Sequence, residues 1–326
     1  MGNAPPGFPD LSVRIGGIKF KNPVIAASGT FGYGQEYGEL LDCGRLGGIC
    51  TKGLTLHPRA GNTGRRLWET PAGLLNAIGL ENPGIPVFIE RELPALRALG
   101  PVVIANLAGS TVEEYVEGAR LLDAAGVDML ELNISCPNVR AGGMAFGLDP
   151  EAAAGVVRPV RRAFRKPLMV KLSPNAPDLK GLAQSCVDHG ADALSLVNTF
   201  KAMAIDIEAR KPVFDRVSAG LSGPAIRPIA LSMVWELREA VEVPLVGIGG
   251  IAATEDALEF LMAGASAVAV GSATFAHPPA MIEIIDGIAA YLVRHTIPHV
   301  SGLDIRGTGG AEAPGGGVAA LSGFAG

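Results

Sequence analysis

Eight short apolar segments recur along the chain, separated by longer stretches with helical periodicity. They are rich in Val, Ile, Leu and Ala, and their apolar residues are continuous rather than alternating, as in parallel strands buried on both faces. The predicted strands are Val24–Ala27, Gly48–Thr51, Val102–Asn106, Met129–Asn133, Leu168–Leu172, Ala193–Val197, Pro244–Ile248 and Ala267–Val270. Eight consecutive strand–helix units tend to close, so the sequence predicts an α/β fold, a (β/α)8 TIM barrel, in preference to a doubly wound open sheet.

Helical patterns fill the intervals between most of these strands. They cover Thr111–Ala125, Pro150–Phe164, Leu179–His189, Ala225–Val241, Thr254–Ala263 and Pro279–Leu292. Good N-terminal caps are predicted for two of these helices: Ser110 or Thr111 ahead of Glu113-Glu114, and Thr254 ahead of Glu255-Asp256. Gly126, Gly190 and Gly264 fall just past three helix ends, where a left-handed residue is favoured.

The remaining segments are predicted to decorate a single barrel domain over residues 1–305. Insertions are expected after strands 2, 4 and 6, the longest being Lys52–Gly84 and Asn198–Pro224, and Leu11–Phe20 is predicted to form a small hairpin that closes the barrel bottom. Of the last 21 residues, 306–326, 13 are Gly or Ala, which is typical of a flexible tail.

Charge and cysteine content exclude several function classes. The formal net charge is −5, so the basic footprint of a nucleic-acid-binding protein is not evident. The N-terminus does not resemble a signal peptide, and no apolar stretch reaches the length of a membrane-spanning helix, which predicts a cytoplasmic protein. The four cysteines form no CxxC pair, so neither a metal or iron–sulfur site nor a disulfide framework is expected.

Polar residues stand at the C-terminal ends of six predicted strands, where barrel enzymes build their active sites. They are Ser28, Lys52, Asn106, Asn133, Lys171 and Asn198. Taken singly, an Asn or Lys after a strand is more often a turn former or a solvated charge. Several at equivalent positions favour a site for a planar, polar, anionic heterocycle, because amides both donate and accept while ammonium groups hold delocalised negative charge.

Small residues follow the last two predicted strands. Gly249-Gly250 and Gly271-Ser272 occupy loops in which many barrels bind a phosphate through backbone N–H groups. Each pair alone would be explained by a tight turn, but together they favour a phosphate-bearing cofactor. Neither has the GxGxxG spacing of a dinucleotide fingerprint, so direct NAD binding by a Rossmann unit is not supported.

One cysteine has a position suited to chemistry. Cys136 lies in the segment NISCPN directly after strand 4, where an accessible thiolate can act as a nucleophile or general base. Cys43, Cys50 and Cys186 are interpreted as inert buried thiols. Glycines in the loop Ser135–Gly147 predict a lid with hinge freedom.

With these residues in hand, the sequence resembles the catalytic subunit of class 1B dihydroorotate dehydrogenases. The resemblance extends from about Asn22 to Leu292. The matching segments are NPVIAASGTFGYGQEY (22–37), TKGLT (51–55), LLNAIGLENPG (74–84), NISCPNVRAGGMAFG (133–147), VKLSPN (170–175), VNTF (197–200), AGLSGPAIRPIAL (219–231) and VGIGGI (246–251). NISCPN together with NAIGLENPG is highly specific, whereas GIGG alone would be weak.

The resemblance implies an FMN-dependent oxidation of (S)-dihydroorotate to orotate in pyrimidine biosynthesis. Cys136 would be the general base that removes the C5 proton while a hydride passes from C6 to flavin N5. Electrons would pass through a partner subunit, carrying FAD and a [2Fe–2S] cluster, to NAD⁺. The implied assembly is a homodimer core within a heterotetramer.

The family pattern also implies the residues that hold each ligand. Substrate would contact Lys52, Asn76, Ala77, Ile78, Gly79, Leu80, Asn133, Asn138, Asn198 and Thr199. The flavin would contact Ser28, Lys52, Gly53, Asn106, Asn133, Lys171 and Val197, with Gly223, Gly249, Gly250, Gly271 and Ser272 around its ribityl chain and phosphate.

Alternative functions stay open at this level. A class 1A-type enzyme that uses fumarate shares the cysteine base, and a flavin-dependent barrel reductase of free pyrimidines shares the barrel and the cysteine loop. A tRNA dihydrouridine synthase would need a basic RNA-binding face, against which the net charge argues. A Schiff-base aldolase or transferase would use Lys171 as a nucleophile on a substrate carbonyl.

Overall fold

The computed structural model describes residues 9–135 and 146–305, and these form a closed barrel of eight parallel strands. Numbered in chain order, the barrel strands are Val24–Ala26, Gly48–Cys50, Val102–Leu107, Met129–Asn133, Leu168–Lys171, Ala193–Leu196, Leu245–Ile248 and Ala267–Val270. Each strand pairs with the next along the chain, and strand 8 pairs with strand 1. The predicted barrel is thus confirmed, with each strand ending within one residue of its expected bounds.

The helices pack around the barrel close to their predicted positions. They span Val112–Ala125, Pro150–Ala163, Leu179–Asp188, Arg227–Ala240, Thr254–Met262 and Ala280–Arg294. Of the two predicted caps of the first helix, Ser110 and Thr111, the cap is Thr111, which accepts the Glu114 N–H. The prediction for Thr254 was wrong: the Asp256 carboxylate caps that helix instead, accepting the backbone N–H groups of Ala252 and Ala253.

Two further regions differ from the simple strand–helix alternation. Between strands 1 and 2 the described chain forms only 3-10 turns, Gln35–Tyr37 and Cys43–Arg45, because glycines with positive φ such as Gly32 and Gly34 interrupt any helix. Before strand 3 lies an unpredicted helical segment, composed of Ile85–Val87, a π-helical turn Phe88–Glu92, and Leu93–Ala98. Shorter elements are a helix, Ala273–Ala276, and 3-10 turns at Pro224–Ile226 and Val300–Leu303.

The N-terminal hairpin closes the barrel bottom. Strands Val13–Ile15 and Ile18–Phe20 pair antiparallel, and the fully buried Ile15 and Phe20 pack against barrel-interior side chains that include Met129 and Met169. At the hairpin turn, a Cβ on Gly16 would lie 2.8 Å from Pro167 Cβ, directly before strand 5. This end of the barrel is therefore filled with apolar side chains.

The insertions after strands 2 and 6 join into one antiparallel sheet, which the sequence did not predict. Its strand order is Phe200–Met203, Ser218–Ser222, Gly73–Asn76 and Leu67–Thr70. A separate two-stranded ribbon pairs Ile205–Asp206 with Lys211–Pro212. The predicted insertion after strand 4 lies mostly outside the described residues, as does the tail 306–326.

No helix within the described ranges is both long and apolar enough to cross a membrane.

The packing of the N-terminal hairpin into the barrel bottom yields a stability prediction. Phe20→Ala removes a ring with no solvent exposure, so we expect it to lower the free energy of unfolding by about 3–5 kcal/mol. Lys19→Ala, one residue earlier on the exposed side of the same strand, is the matched control and should change it by less than about 0.5 kcal/mol. Urea denaturation measures both changes, and equal effects would contradict a role for Phe20 packing in stabilising the barrel.

Candidate active site

Polar side chains replace apolar ones at the C-terminal end of the barrel interior. Asn106, Asn133 and Lys171 are all more than nine-tenths buried. The strand register places Asn133 opposite Lys171, and Lys171 opposite Ser195 of strand 6. The structure thus brings together the three predicted residues of strands 3 to 5, and an amide of Asn133 donates to Asn106 Oδ1 at 3.4 Å.

The centre of this polar layer is Glu131, a residue that was not among the predicted site residues. Its carboxylate is buried and accepts hydrogen bonds from Asn106 Nδ2 at 2.5 Å and Ser195 Oγ at 2.7 Å. The Cys50 thiol donates to the same carboxylate at 3.2 Å. Glu131 Oε2 also lies 4.0 Å from Lys171 Nζ, so the barrel interior holds a buried ion pair.

A signal for Glu131 was present in the sequence. Glu131 and Lys171 are the only charged residues within the eight predicted strands. Glu131 lies two positions before Asn133, so both side chains point to the same face of strand 4. An analysis of which residues alternate onto the interior face of each strand would have identified Glu131, whereas the strand-end rule considers only the last residue.

Asn198 and Thr199 lie beside this layer, directly after strand 6. The Asn198 amide donates to Asn133 Oδ1 at 3.4 Å and to the Ser135 hydroxyl, while its own Oδ1 accepts the Thr199 N–H at 2.9 Å. Ser135 in turn donates to Asn133 Oδ1 at 2.9 Å. The predicted residues of strands 4 and 6 therefore form one connected amide network.

The loop after strand 2 brings Lys52 and Gly53 to the same end of the barrel. The half-buried Lys52 is held by its backbone N–H, which donates to the Gly32 carbonyl at 3.0 Å. A Cβ on Gly53 would lie 3.1 Å from Asn106 Oδ1 and 3.2 Å from Leu80 Cδ2. Gly53 thus leaves room between a barrel amide and the insertion residue Leu80.

Long-range contacts position the predicted segment Asn76–Leu80. The Asn76 amide donates to the Gly220 carbonyl at 3.3 Å, across the insertion sheet. Ile78 accepts the Asn62 N–H at 2.9 Å through its carbonyl. The buried Asn82, which was not predicted, donates to the Leu80 carbonyl at 2.8 Å, so it fixes the end of this segment.

Charges from Lys52 and Arg66 act on the acid that follows this segment. A hydrogen bond from Arg66 Nη1 at 2.6 Å lowers the pKa of Glu81, and the positive charge of Lys52 lowers it further. The positive charge of Lys52 therefore acts on Glu81, the residue directly after the segment Asn76–Leu80.

The predicted glycines lie together on the opposite side of the mouth. Ile248 pairs with Ala269 in register, so Gly249-Gly250 and Gly271-Ser272 follow neighbouring strands. Gly249 and Gly250 have positive φ, 134° and 71°, and a Cβ on Gly250 would lie 2.8 Å from the Gly223 carbonyl oxygen. Gly223 thus lies beside Gly250, and these backbones approach as closely as only glycine permits.

The remaining predicted residues Val197 and Ser28 lie at the ends of strands 6 and 1. Val197 donates its N–H to the Ile248 carbonyl at 2.8 Å, which ties strand 6 to the glycine loop of strand 7. The Ser28 backbone lies at the Cys50 sulfur, beside the polar layer. Cys136 and Asn138 lie outside the described residues, as does most of the predicted lid Ser135–Gly147.

The three described cysteines are buried, as predicted. Burial raises the pKa of Cys186 to about 12. Burial, followed by the negative charge of Glu131, raises the pKa of Cys50 well above its usual range, and burial with the charge of Asp42 raises that of Cys43. A raised pKa lowers the thiolate fraction at neutral pH, which predicts low reactivity for these three thiols.

Comparison with known proteins identifies relatives over nearly the whole barrel. The family model for dihydroorotate dehydrogenase matches residues 10–292. The chain is 55% identical to the dihydroorotate dehydrogenase B (NAD(+)) catalytic subunit of Petrotoga mobilis, over 91% of this chain and 99% of the relative. Proteins of the same name from Thermoanaerobacter pseudethanolicus and Geotalea daltonii are 52% and 55% identical, each over 90% of this chain and 97% of the relative.

The burial of the three thiols predicts their reactivity. Because a thiol with a pKa of about 12 is thiolate to only about one part in ten thousand at pH 8, Cys186 should resist iodoacetamide in the native chain, as should Cys43 and Cys50. In guanidinium all four cysteines should react. Peptide mass spectrometry locates the label, and rapid native alkylation of Cys50 would contradict the buried network.

Proposed function

The chain belongs to the dihydroorotate dehydrogenase family, whose members are flavin-dependent oxidoreductases, and we propose that it oxidises (S)-dihydroorotate to orotate with FMN in pyrimidine biosynthesis. The observation that carries the proposal is the polar layer at the barrel mouth, where Asn106, Asn133 and Lys171 converge next to the side-chain-free Gly53. A solely structural barrel would fill this layer with apolar side chains, as this chain does at its other end.

The donor set of the mouth fits a flavin. Lys171 supplies a buried ammonium group, and Asn106 and Asn133 supply amides that donate and accept. On the opposite side, the close-packed backbones of Gly223 and Gly250 suit a ribityl phosphate. We assign FMN to this space, with Ser28, Lys52, Val197, Gly249, Gly271 and Ser272 as its further contacts. When bound, the flavin supplies the acceptor for the hydride from C6 of the substrate.

The residues of the chain divide the remaining work. Lys171 stabilises negative charge that develops on the reduced cofactor. Lys52 attracts the substrate carboxylate, and the amides of Asn76, Asn133, Asn138 and Asn198 pair with the carbonyl and N–H edges of the pyrimidine. Backbone groups along Ala77–Leu80 and Thr199 complete the pocket that we assign to substrate.

Cys136 is proposed as the general base. Its thiolate takes the C5 proton, and the electron pair of the broken C–H bond forms the C5–C6 double bond as the C6 hydride departs. The segment NISCPN carries this proposal, because it continues from strand 4, whose Asn133 is already in the amide network.

A partner subunit is proposed as the electron outlet. The relatives named above are catalytic subunits of NAD(+)-linked enzymes, which supports an arrangement in which FAD and a [2Fe–2S] cluster on a second polypeptide carry electrons to NAD⁺. We further propose a homodimer core within a heterotetramer, a cytoplasmic location, a single flavin-binding domain over residues 1–305, and a tail over residues 306–326.

The visible spectrum of the purified chain tests the proposal directly. We expect flavin absorbance with one FMN per chain, and bleaching on anaerobic addition of dihydroorotate. Bleaching by reduced nicotinamide followed by reoxidation with uracil would indicate a reductase of free pyrimidines instead. A colourless protein that borohydride couples covalently to a carbonyl substrate through Lys171 would indicate a Schiff-base enzyme. Turnover with fumarate, and without a partner, would indicate the class 1A alternative.

Removal of the proposed base should separate chemistry from cofactor binding. Cys136→Ser should slow flavin reduction by dihydroorotate about 10²–10⁴-fold, because a serine hydroxyl is a far weaker base in this position. The variant should remain yellow with an unchanged flavin content. Stopped-flow absorbance measures the rate. Cys186→Ser, which changes a buried thiol on the helix Leu179–Asp188, is the matched control. Reduction of the Cys136 variant at the wild-type rate would refute the base.

A further inference from the structure

We propose that Glu131 is a positioning residue that fixes Lys171 and Asn106 from below and limits how strongly Lys171 stabilises the reduced flavin. The inference rests on the proposed function, since it concerns the same cofactor site. Glu131 is placed among neither the substrate contacts nor the flavin contacts, and it lies one interior position below Asn133 on strand 4.

The contacts of Glu131 connect strand 4 with four other strands of the barrel. Its carboxylate accepts from Asn106 on strand 3 and from Ser195 on strand 6, and lies 4.0 Å from the ammonium of Lys171 on strand 5. The thiol of Cys50 on strand 2 is a further donor to the same carboxylate. A carboxylate with this many donors has a single orientation, and the groups that donate to it are oriented in return.

Asn106 shows the consequence of this orientation. A carboxylate only accepts, so Asn106 must turn its NH2 group toward Glu131. Its Oδ1 is thereby left to accept from Asn133 Nδ2 and to face the position of Gly53. Glu131 thus determines that Asn106 presents an acceptor, rather than a donor, to the barrel mouth.

Lys171 shows the electrostatic consequence. Both members of the pair are more than nine-tenths buried, where an opposite charge about 4 Å away acts through little solvent screening. The negative charge of Glu131 therefore offsets part of the positive potential that Lys171 projects. With Glu131 present, the reduced flavin is stabilised less than an isolated lysine would stabilise it, and the reduction potential of the bound flavin is lower.

Glu131→Gln tests this inference, because glutamine keeps the shape and removes the charge. We expect the equilibrium constant for two-electron reduction of the bound flavin to rise at least about tenfold, which is about 30 mV in a more positive direction. Spectroelectrochemistry of the flavin-loaded full chain measures the potential independently of turnover. The KM for dihydroorotate should change by a smaller factor than this equilibrium constant. The described hydrogen-bond and ion-pair partners of Glu131 are Cys50, Asn106, Ser195 and Lys171, and none of them is assigned to substrate.

Asp192→Asn is the matched control. It removes the same unit charge from a partly buried carboxylate at the other end of the barrel, where Asp192 pairs with Arg161 at 2.7 Å. The potential of that variant should equal that of the wild type. An equal rise in both variants would show a general effect of net charge and would overturn the role of Glu131.

Glu131→Asp covers the case in which the glutamine variant does not fold or bind flavin. Aspartate keeps the charge but withdraws it by one methylene, so the potential should rise in the same direction by a smaller amount. An unchanged potential in a folded, flavin-loaded glutamine or aspartate variant overturns the inference alone. A wild-type chain that binds no flavin overturns the proposed function, and the inference with it.

Discussion

Alternation of side chains along eight closed parallel strands is the constraint on which the rest of the structure depends. Every second residue of each strand points into a space that must be filled, and those side chains meet in layers. Near the hairpin the layers are apolar, with Phe20, Met129 and Met169. Two and four residues beyond Met129, the same face of strand 4 carries Glu131 and Asn133. One periodicity therefore supplies both the core and the site, and the change from apolar to polar occurs within single strands.

Local patterns of the sequence were sufficient to predict the barrel. Apolar runs, helical periodicity and terminal glycines such as Gly126 are local signals, and the strand and helix bounds follow them closely. The helical segment between Ile85 and Ala98 escaped prediction because Pro86 and Pro94 interrupt its pattern. Pro86 lies in the first turn, where a helix tolerates proline, and Pro94 follows directly after the π-helical turn. The insertion sheet escaped because its pairing of Asn76 with Gly220 depends on contacts between distant parts of the chain.

The residues of the candidate site likewise divide into those that a local pattern predicts and those that depend on contacts between distant parts of the chain. Asn106, Asn133 and Lys171 follow from the rule that barrel sites lie at strand ends. In the structure Asn133 donates to Asn106 and lies opposite Lys171 in the strand register. Asn76–Leu80 and Gly223 could be assigned only through the resemblance, since no local pattern brings an insertion to the barrel mouth. Glu131 was overlooked because the strands were interpreted as continuous apolar runs buried on both faces, and that interpretation hides which residues share the interior face.

The pairing of Glu131 with Lys171 also bears on why the barrel keeps charges in its interior at all. Taking both ions out of water costs several kcal/mol each, and buried ion pairs are often replaced by apolar residues with no loss of stability. Stability alone therefore gives no reason for the pair. An isolated Lys171 would be worse still, because its charge would be buried without compensation. Glu131 makes a buried ammonium compatible with a folded barrel, and Lys171 makes the ammonium available to an anionic ligand. The pair therefore has one explanation: Glu131 compensates a buried charge that Lys171 needs in order to bind an anionic ligand.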